Sequence, residues 1–544
     1  MGKKSSSKKI HKGEIPAKPA HPHKEKHFKK IPMLGIVLIN IITVVFAGFV
    51  IWKYVSMVVP ISSLLPEDKT IAYTEMKIDG NDKEVQAFFD MIKSNQLMRK
   101  EHLIAVAEDF TGENFKSSIL PWIGRNGGIA LIGSAKNEDQ ANVLLFVEVK
   151  DKNLALEFFK NMGLRYKNDA LTENEYKKYT VYSYKTGEAF SFTFIGKYVV
   201  VAISEDAMND FIDGIMDSNR LASGYETDFS RTYVNPKLIS KFSGSQDTNV
   251  KNKYLITIFD PLITIFKNTW IRASVQYGHI KATTTTDLKY KYQKGPSYDA
   301  ELISYFPSDI KLFYGGSSLT SQIDNLSSMV EQENANLKKT MKELILFQIK
   351  DTFGDISVEN DVYPLIKGEY ALAISDKNDI MFGIKSGKVD ENKLKSMVVA
   401  IRKSPFMRRT IRNEDSVAVQ WNVLFSEDTH RGMKTFGVQL EQAKWGIYTA
   451  NVNDMLFVTS SLDSLKKLID TYIDRQNTFA ESNEFKNGPE KVLSGADEIF
   501  YANLYKFPDF MAKISDYLTP IKVVSIGRTY EDYSIVSNCI ILVE

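Results

Sequence analysis

The sequence holds a single cysteine, Cys539, among 544 residues. One thiol excludes a disulfide framework within the chain, so stability must come from packing. For an exported protein this suits a bacterial surface better than a small eukaryotic ectodomain. Histidine is also scarce, with seven in all. His11, His21, His23 and His27 fall near the N-terminus, at loose spacing with nothing to hold them rigid, which leaves His102, His279 and His430 for the rest. The patterns H-E-x-x-H, C-x-x-C and G-x-S-x-G do not occur, which removes the common sequence signatures of zinc hydrolases, redox dithiols and serine hydrolases. Net charge is only +2. It is unevenly spread: residues 1–30 carry ten Lys against two Glu, or +8, so the remainder carries −6. A mildly acidic folded part gives no electrostatic case for nucleic-acid binding, and none is expected as a partner.

Long apolar runs are rare too, with one exception. From Ile31 to Trp52 there is no charged residue. As a helix this run spans roughly 33 Å, enough for a hydrocarbon core of about 30 Å. Trp52 and Tyr54 follow at the exit, where amphipathic rings favour the interface. The lysines precede the run, whereas Glu67 and Asp68 follow it. The positive-inside rule therefore predicts a cytoplasmic N-terminus and an extracytoplasmic C-terminal region. A cleaved signal peptide is the rival reading, but the run is longer than a usual h-region and no small-x-small site follows it. The expected partners at this end are the bilayer, through residues 31–59, and anionic lipid beside the Lys-rich tail. Met1-Gly2 with Ser6 fits a myristoylation pattern, which a spanning helix makes redundant. The tail, residues 1–30, has the composition of a disordered segment.

The remainder, at 43% hydrophobic and 12% aromatic over the whole chain, is that of a folded protein long enough for two or more domains. It reads as written twice. Leu65-Pro66-Glu67-Asp68, then Tyr73, returns as Phe306-Pro307-Ser308-Asp309, then Tyr314. Pro121-Trp122-Ile123-Gly124 before an apolar strand returns as Pro364-Leu365-Ile366-Lys367-Gly368. Val143–Val149 precedes a helix with Ala155, Phe158, Phe159 and Met162 on one face. Ile380–Ile384 precedes Leu394, Met397, Val398 and Ile401 at the same spacing. Phe190, Phe192 and Phe194, and Val199, Val201 and Ile203, alternate as half-buried strands before the stripe Met208, Phe211, Ile212, Ile215. Met455–Thr459 before Leu465, Leu468, Ile469 and Tyr472 answers them. Tyr254–Phe259 with Val275–Thr285 is matched by Ile499–Leu504 with Ile535–Leu542. The expected fold class is α+β. It comprises a single N-terminal transmembrane helix and two tandem related α+β modules, residues 60–295 and 296–544, with antiparallel sheets and helices packed on one face. Lys289–Ser297, with Gly295-Pro296, is the expected linker.

Several of these features together resemble a known family. They are the Leu65-Pro66-Glu67-Asp68 opening after a membrane helix, the aromatic helix with Val85, Phe88, Phe89 and Ile92, and Phe110-Thr111-Gly112 leading to Pro121-Trp122-Ile123-Gly124. The strand–helix unit over residues 143–162 continues the pattern. The chain thus resembles the bacterial family described as domain of unknown function 3352. Ile123 stands where Leu is usual, and Arg125-Asn126-Gly127 makes a longer turn. The resemblance implies a bacterial, extracytoplasmic protein. The family has no established activity, so it assigns no catalytic, cofactor-binding or metal residue.

The residues themselves assign none either. Gly124, Gly127, Gly128 and Gly133 match no phosphate-binding loop and predict a turn before a strand. Asp79-Gly80-Asn81-Asp82 lacks the closing Glu of a calcium loop and predicts a turn. Trp122 is expected in the core. No cofactor is expected, and no acid pair can be singled out among 67 Asp and Glu. The function expected is a non-enzymatic binding or scaffolding module outside the cytoplasmic membrane, with an envelope protein or polymer as partner. The alternatives are a binder of lipid or another apolar ligand, and a hydrolase acting on cell wall or exported peptide. A protease added outside intact cells, with any outer layer removed, is expected to degrade residues 60–544 and spare the tail; protection of the large region would reverse the orientation.

Overall fold

Apolar side chains recurring at every second position form twenty strands among the described residues after residue 69. The computed structural model describes residues 60–543 except 94, 96–98, 135–139, 168–170, 185–189, 218, 222–227, 244–262, 297, 334–355, 403–422, 442–445 and 509–520. Residues 60–544 form one compact unit. The tail, the apolar run Ile31–Trp52 and the Tyr254–Phe259 strand expectation lie outside the described residues. Among the described residues no helix is long and apolar enough to cross a membrane.

The first ten strands are β1 Thr70–Lys77, β2 Ile123–Gly133, β3 Ala141–Val149, β4 Leu171–Tyr176, β5 Tyr179–Tyr184, β6 Ser191–Ile195, β7 Tyr198–Ala202, β8 Ser230–Val234, β9 Phe266–Gln276 and β10 His279–Leu288. The next ten are β11 Ile310–Gly316, β12 Tyr370–Ser375, β13 Ile380–Lys385, β14 Val423–His430, β15 Met433–Leu440, β16 Gly446–Val452, β17 Met455–Thr459, β18 Glu498–Asn503, β19 Ile521–Tyr530 and β20 Ser534–Val543. Helices α1 Lys83–Ile92, α2 Lys100–Thr111, α3 Lys152–Lys167, α4 Glu205–Asp217 and α5 Pro236–Ser243 accompany the first set. Helices α6 Leu319–Glu333, α7 Glu391–Arg402, α8 Leu462–Asp474, α9 Asn483–Asn487 and α10 Pro489–Leu493 accompany the second.

All pairings are antiparallel and join the strands into one sheet. Its order is β4-β5-β6-β7-β3-β2-β1-β8-β9-β10, then β20-β19-β18-β11-β12-β13-β17-β16-β15-β14. Adding ten to each label of the first half reproduces the second half in reverse. The halves meet through β10 and β20, paired from His279 with Leu542 to Asp287 with Ser534; Thr283 and Asn538 form the middle pair. The likeness extends to loops: Leu221 N–H donates to Leu65 O at 3.0 Å, and Phe479 N–H donates to Phe306 O at 2.7 Å. The register also moves one expected match. β1 and β11 carry the same irregularity near their starts, so Phe313, not Tyr314, occupies the place of Tyr73. Both rings are buried in the core.

Helices cover both faces of the sheet, not one as expected. On one face Met208, Phe211 and Ile212 of α4 pack over Tyr73, Leu144, Phe146 and Val200, and Leu465, Leu468 and Ile469 of α8 pack over Phe313, Met381 and Phe457. On the other, Phe158 and Phe159 of α3 join Trp122 over Phe192 and Val199, and Leu394 and Val398 of α7 lie over Phe436 and Val438. The physical reason is visible in β7: Tyr198, Val199, Val200 and Ala202 are all buried, so the strand reads as a continuous apolar run rather than an alternation. The expected single strand over Val275–Thr285 is a hairpin, β9–β10, turned at Tyr277-Gly278 with Gly278 at φ 76°. β19 went unrecognised in the sequence. The expected linker Lys289–Ser297 is pinned at two points: Lys289 N–H donates to Ile265 O and Tyr292 N–H to Asp532 O, at 2.8 and 2.7 Å.

Each half opens with a short 3-10 turn, Ile61–Leu64 and Glu301–Tyr305, whose leading amides need acceptors. Ile61 N–H donates to Glu75 Oε2 at 3.1 Å, and Leu302 N–H to Glu369 Oε1 at 3.2 Å. Burial raises the pKa of both carboxyls, that of Glu369 to about 7. A carboxyl raised in the fold favours its protonated form there. Its contribution is therefore most favourable below the unfolded value and is lost as pH rises toward 7. The melting temperature is expected to fall as pH is raised from about 5 to 8. Glu369→Gln should flatten that slope in a pH series of thermal melts, and an unchanged slope would refute the assignment.

Candidate functional site

Buried polar side chains are costly unless paired, so a cluster of them marks either a site or a specific joint. The described residues place one such cluster in the second half, beside the join. Glu498, at the start of β18, is 2% exposed. Arg528 of β19 donates from Nη1 to Glu498 Oε2 at 2.9 Å, and the Tyr530 hydroxyl donates to Oε1 at 2.8 Å. The antiparallel register makes this possible, because it sets Glu498 directly opposite Arg528. Tyr370 of β12 brings its hydroxyl 3.2 Å from that of Tyr314 of β11 and 3.1 Å from Gln322 Oε1 of α6. Asp497 accepts from Tyr530 N–H at 2.8 Å. Tyr292 of the joining segment stacks on Tyr530 at 4.4 Å, and Asn325 of α6 exchanges hydrogen bonds with the Gln293 backbone, both at 2.8 Å.

Electrostatics fix the protonation of the rings. Burial pushes Tyr314 and Tyr292 up to about 12, and it raises Tyr370 and Tyr530 further. For Arg528 burial works against the charge, but Tyr530 and Glu498 outweigh it and raise the pKa. Neutral tyrosines and a cationic arginine around a carboxylate make a hydrogen-bonded knot with no tyrosinate base at neutral pH. The adjoining recess is lined by Lys294, Ser317, Ser318, Ser321, Gln322 and Asp497 among others. About 10 Å³ of it is open to the centre of a water molecule. That is room for about one water and too little for a substrate. The cluster is specific to the second half. The same ladder positions in the first half hold Thr74, Gly127, Ser230, Ala273 and Val275 in place of Tyr314, Tyr370, Glu498, Arg528 and Tyr530.

The residues singled out in the sequence scatter. His102 lies on α2, His279 opens β10 beside Gln276 and Tyr277, and His430 Nε2 meets Asp470 Oδ1 at 2.8 Å. Trp122 is buried against Phe158 and Phe159, as expected. Asp79-Gly80-Asn81-Asp82 is a turn whose Asp82 caps α1 by accepting from Glu84 and Val85 N–H. The glycines are a correction. Gly124, Gly127 and Gly128 lie within β2, at a register shift, rather than in a turn before it. A Cβ on Gly124 would come 2.6 Å from the Glu148 side chain, whose carboxylate accepts from the Arg125 and Asn126 amides at 3.1 Å. Gly368 meets the Lys385 carbonyl in the same way. Sequence reasoning missed the Glu498 cluster, because its members lie up to 238 residues apart, Tyr292 to Tyr530, and nothing local to Glu498 marks it as a buried acid.

The family model described as "Protein of unknown function (DUF3352)" matches residues 109–506, more than half of the chain. No curated protein matches. Among solved structures, crystal form III of TP0453 is similar at 10% identity and a TM-score of 0.25, over 45% of this chain and 83% of that one. Crystal form IV of TP0453 gives 11% and 0.24, over 40% and 76%. Removal of the Glu498 carboxylate in Glu498→Leu leaves Arg528 and Tyr530 without their acceptor and is expected to cost about 3–5 kcal/mol in denaturant unfolding. Glu498→Gln, which still accepts, should cost less than half as much; equal losses would show that volume rather than pairing holds the joint.

Proposed function

The chain belongs to the DUF3352 family of proteins of unknown function, and from that premise we propose a non-enzymatic binding or scaffolding role in the cell envelope. In this reading Ile31–Trp52 is a single-pass anchor in the cytoplasmic membrane, with the N-terminal tail inside and residues 60–544 outside. The two sets of ten strands are tandem copies of one α+β module. The observation that carries the reading is the Glu498 cluster. Glu498, Arg528 and Tyr530 are spent on one another, and the recess beside them has room for about one water. Such an arrangement fastens α6 and the joining segment to the sheet instead of holding a substrate.

A binding role also needs a surface. In the first half Ile129, Val143, Leu145 and Ile203 are exposed on the face that α3 covers only in part. In the second half the counterparts of Ile129 and Leu145, Leu372 and Phe382, are half-buried, and that of Val143, Ile380, is exposed. The partner class is an envelope protein or polymer. A photo-crosslinking residue at Leu145 in the native cell is expected to give discrete adducts, with the same group at Leu424 on the outermost strand β14 giving none. Equal labelling at both would remove the binding face. Turnover of cell-wall polymer or exported peptide by the purified chain, abolished in a folded Glu498→Gln variant, would replace the reading with an enzyme.

A further inference from the structure

Helix α2 runs from Lys100 to Thr111 and buries none of its twelve residues. Leu103, Val106 and Phe110 recur at helical spacing on one side and are 42%, 49% and 69% exposed. The opposite side is polar and fixed. Glu108 Oε1 accepts from Phe115 N–H at 2.7 Å and from Asn114 Nδ2 at 3.0 Å, and Gly112, at φ 67°, closes the helix onto Glu108 O. The orientation of the stripe is therefore set by the turn that follows, and no group among the described residues covers it. Arg99 and Lys100 stand at the start of the helix and Lys116 just beyond it, all exposed; Asp109 sits at the margin and Glu101 on the far side.

We propose that α2 is an interfacial helix whose Leu103, Val106 and Phe110 dip into the lipid surface of the membrane that tethers the chain, with Arg99, Lys100 and Lys116 meeting its phosphates. The composition of the stripe points to lipid, and the length of the connecting segment keeps the start of the folded part near it. An apolar stripe of Leu, Val and Phe bordered by Arg and Lys is the composition that settles at a headgroup boundary. The charge-free run ends at Trp52, so seven residues, 53–59, separate it from Pro60 and reach at most about 25 Å. The proposal rests on the anchored reading for that proximity. Its consequence is a second attachment point, which fixes how the first half faces the bilayer where a single tether leaves it free to swivel.

The test uses the full chain in vesicles of phosphatidylcholine and phosphatidylglycerol. Val106→Cys and Phe110→Cys carry an environment-sensitive dye, and Glu101→Cys and Leu424→Cys serve as aqueous controls. The unsubstituted chain is the blank, because burial pushes its Cys539 thiol up to about 11. Nitroxide groups on the acyl chains are expected to cut emission at 106 and 110 roughly two-fold and to leave 101 and 424 unchanged. Emission at 106 and 110 no more quenched than at 424 overturns the proposal. So does shielding of those positions from iodide that depends on protein concentration and not on lipid, the mark of a second copy. Flotation after an alkaline carbonate wash reports the anchor separately: a chain that floats but is not quenched sinks this proposal alone, and one that is quenched but does not float sinks only the anchor.

Discussion

The backbone ladder between β10 and β20 is the constraint on which the rest of the sheet depends. Each strand is the last of its own set of ten, and each would otherwise be a bare edge with unpaired amides and carbonyls. Paired to each other, they turn two edges into the centre of one sheet. β10 is suited to the place: Thr283, Thr284, Thr285 and Thr286 are β-branched, and Thr283 donates its hydroxyl proton to Asn538 Oδ1 at 3.1 Å across the middle pair. The ladder is then clasped from one side at two places. Val85 and Met91 of α1 pack with Val275, Ile280 and Val543, and Met329 and Val330 of α6 pack with Leu288, Tyr530 and Ile535.

Around that shared frame the halves have taken different chemistry. Where the second half places Tyr314, Tyr370, Glu498 and Arg528, the first keeps Thr74, Gly127, Ser230 and Ala273. The polar knot makes α6 and the joining segment stiff, because each member is held by at least one other. The described residues of the first half hold no such knot, and its α2 buries none of its residues.

Much of the fold was legible in the sequence because it is local or repeated. The stripes of α3, α4, α7 and α8 follow from i, i+3, i+4 spacing, and Trp122 went to the core because a large ring between a proline and an apolar strand has few other places. Errors arose where burial acts on both sides. Val199, Val201 and Ile203 look half-buried by alternation, but Val200 and Ala202 between them are buried too. The glycines near Arg125 resemble a turn, because nothing local reveals that the Glu148 side chain closes on them. The Glu498 cluster could not be read at all: its contacts depend on β11, β12, β18 and β19 being neighbours, which is a property of the whole sheet. Val85, Phe88, Phe89 and Leu103, Val106, Phe110 look alike as patterns, and only burial separates the packed helix from the bare one.

The placement of β20 also sets an order of events during synthesis. β10 ends at Leu288, and its partner does not begin until Ser534. The first half can complete its own ladders while the ribosome is still making the second, and throughout that interval β10 presents an open template. An unfinished chain is at risk of strand exchange with another copy in that state, until residues 534–543 arrive. The threonine run of β10, short of large apolar side chains, is the kind of edge that tolerates such a delay.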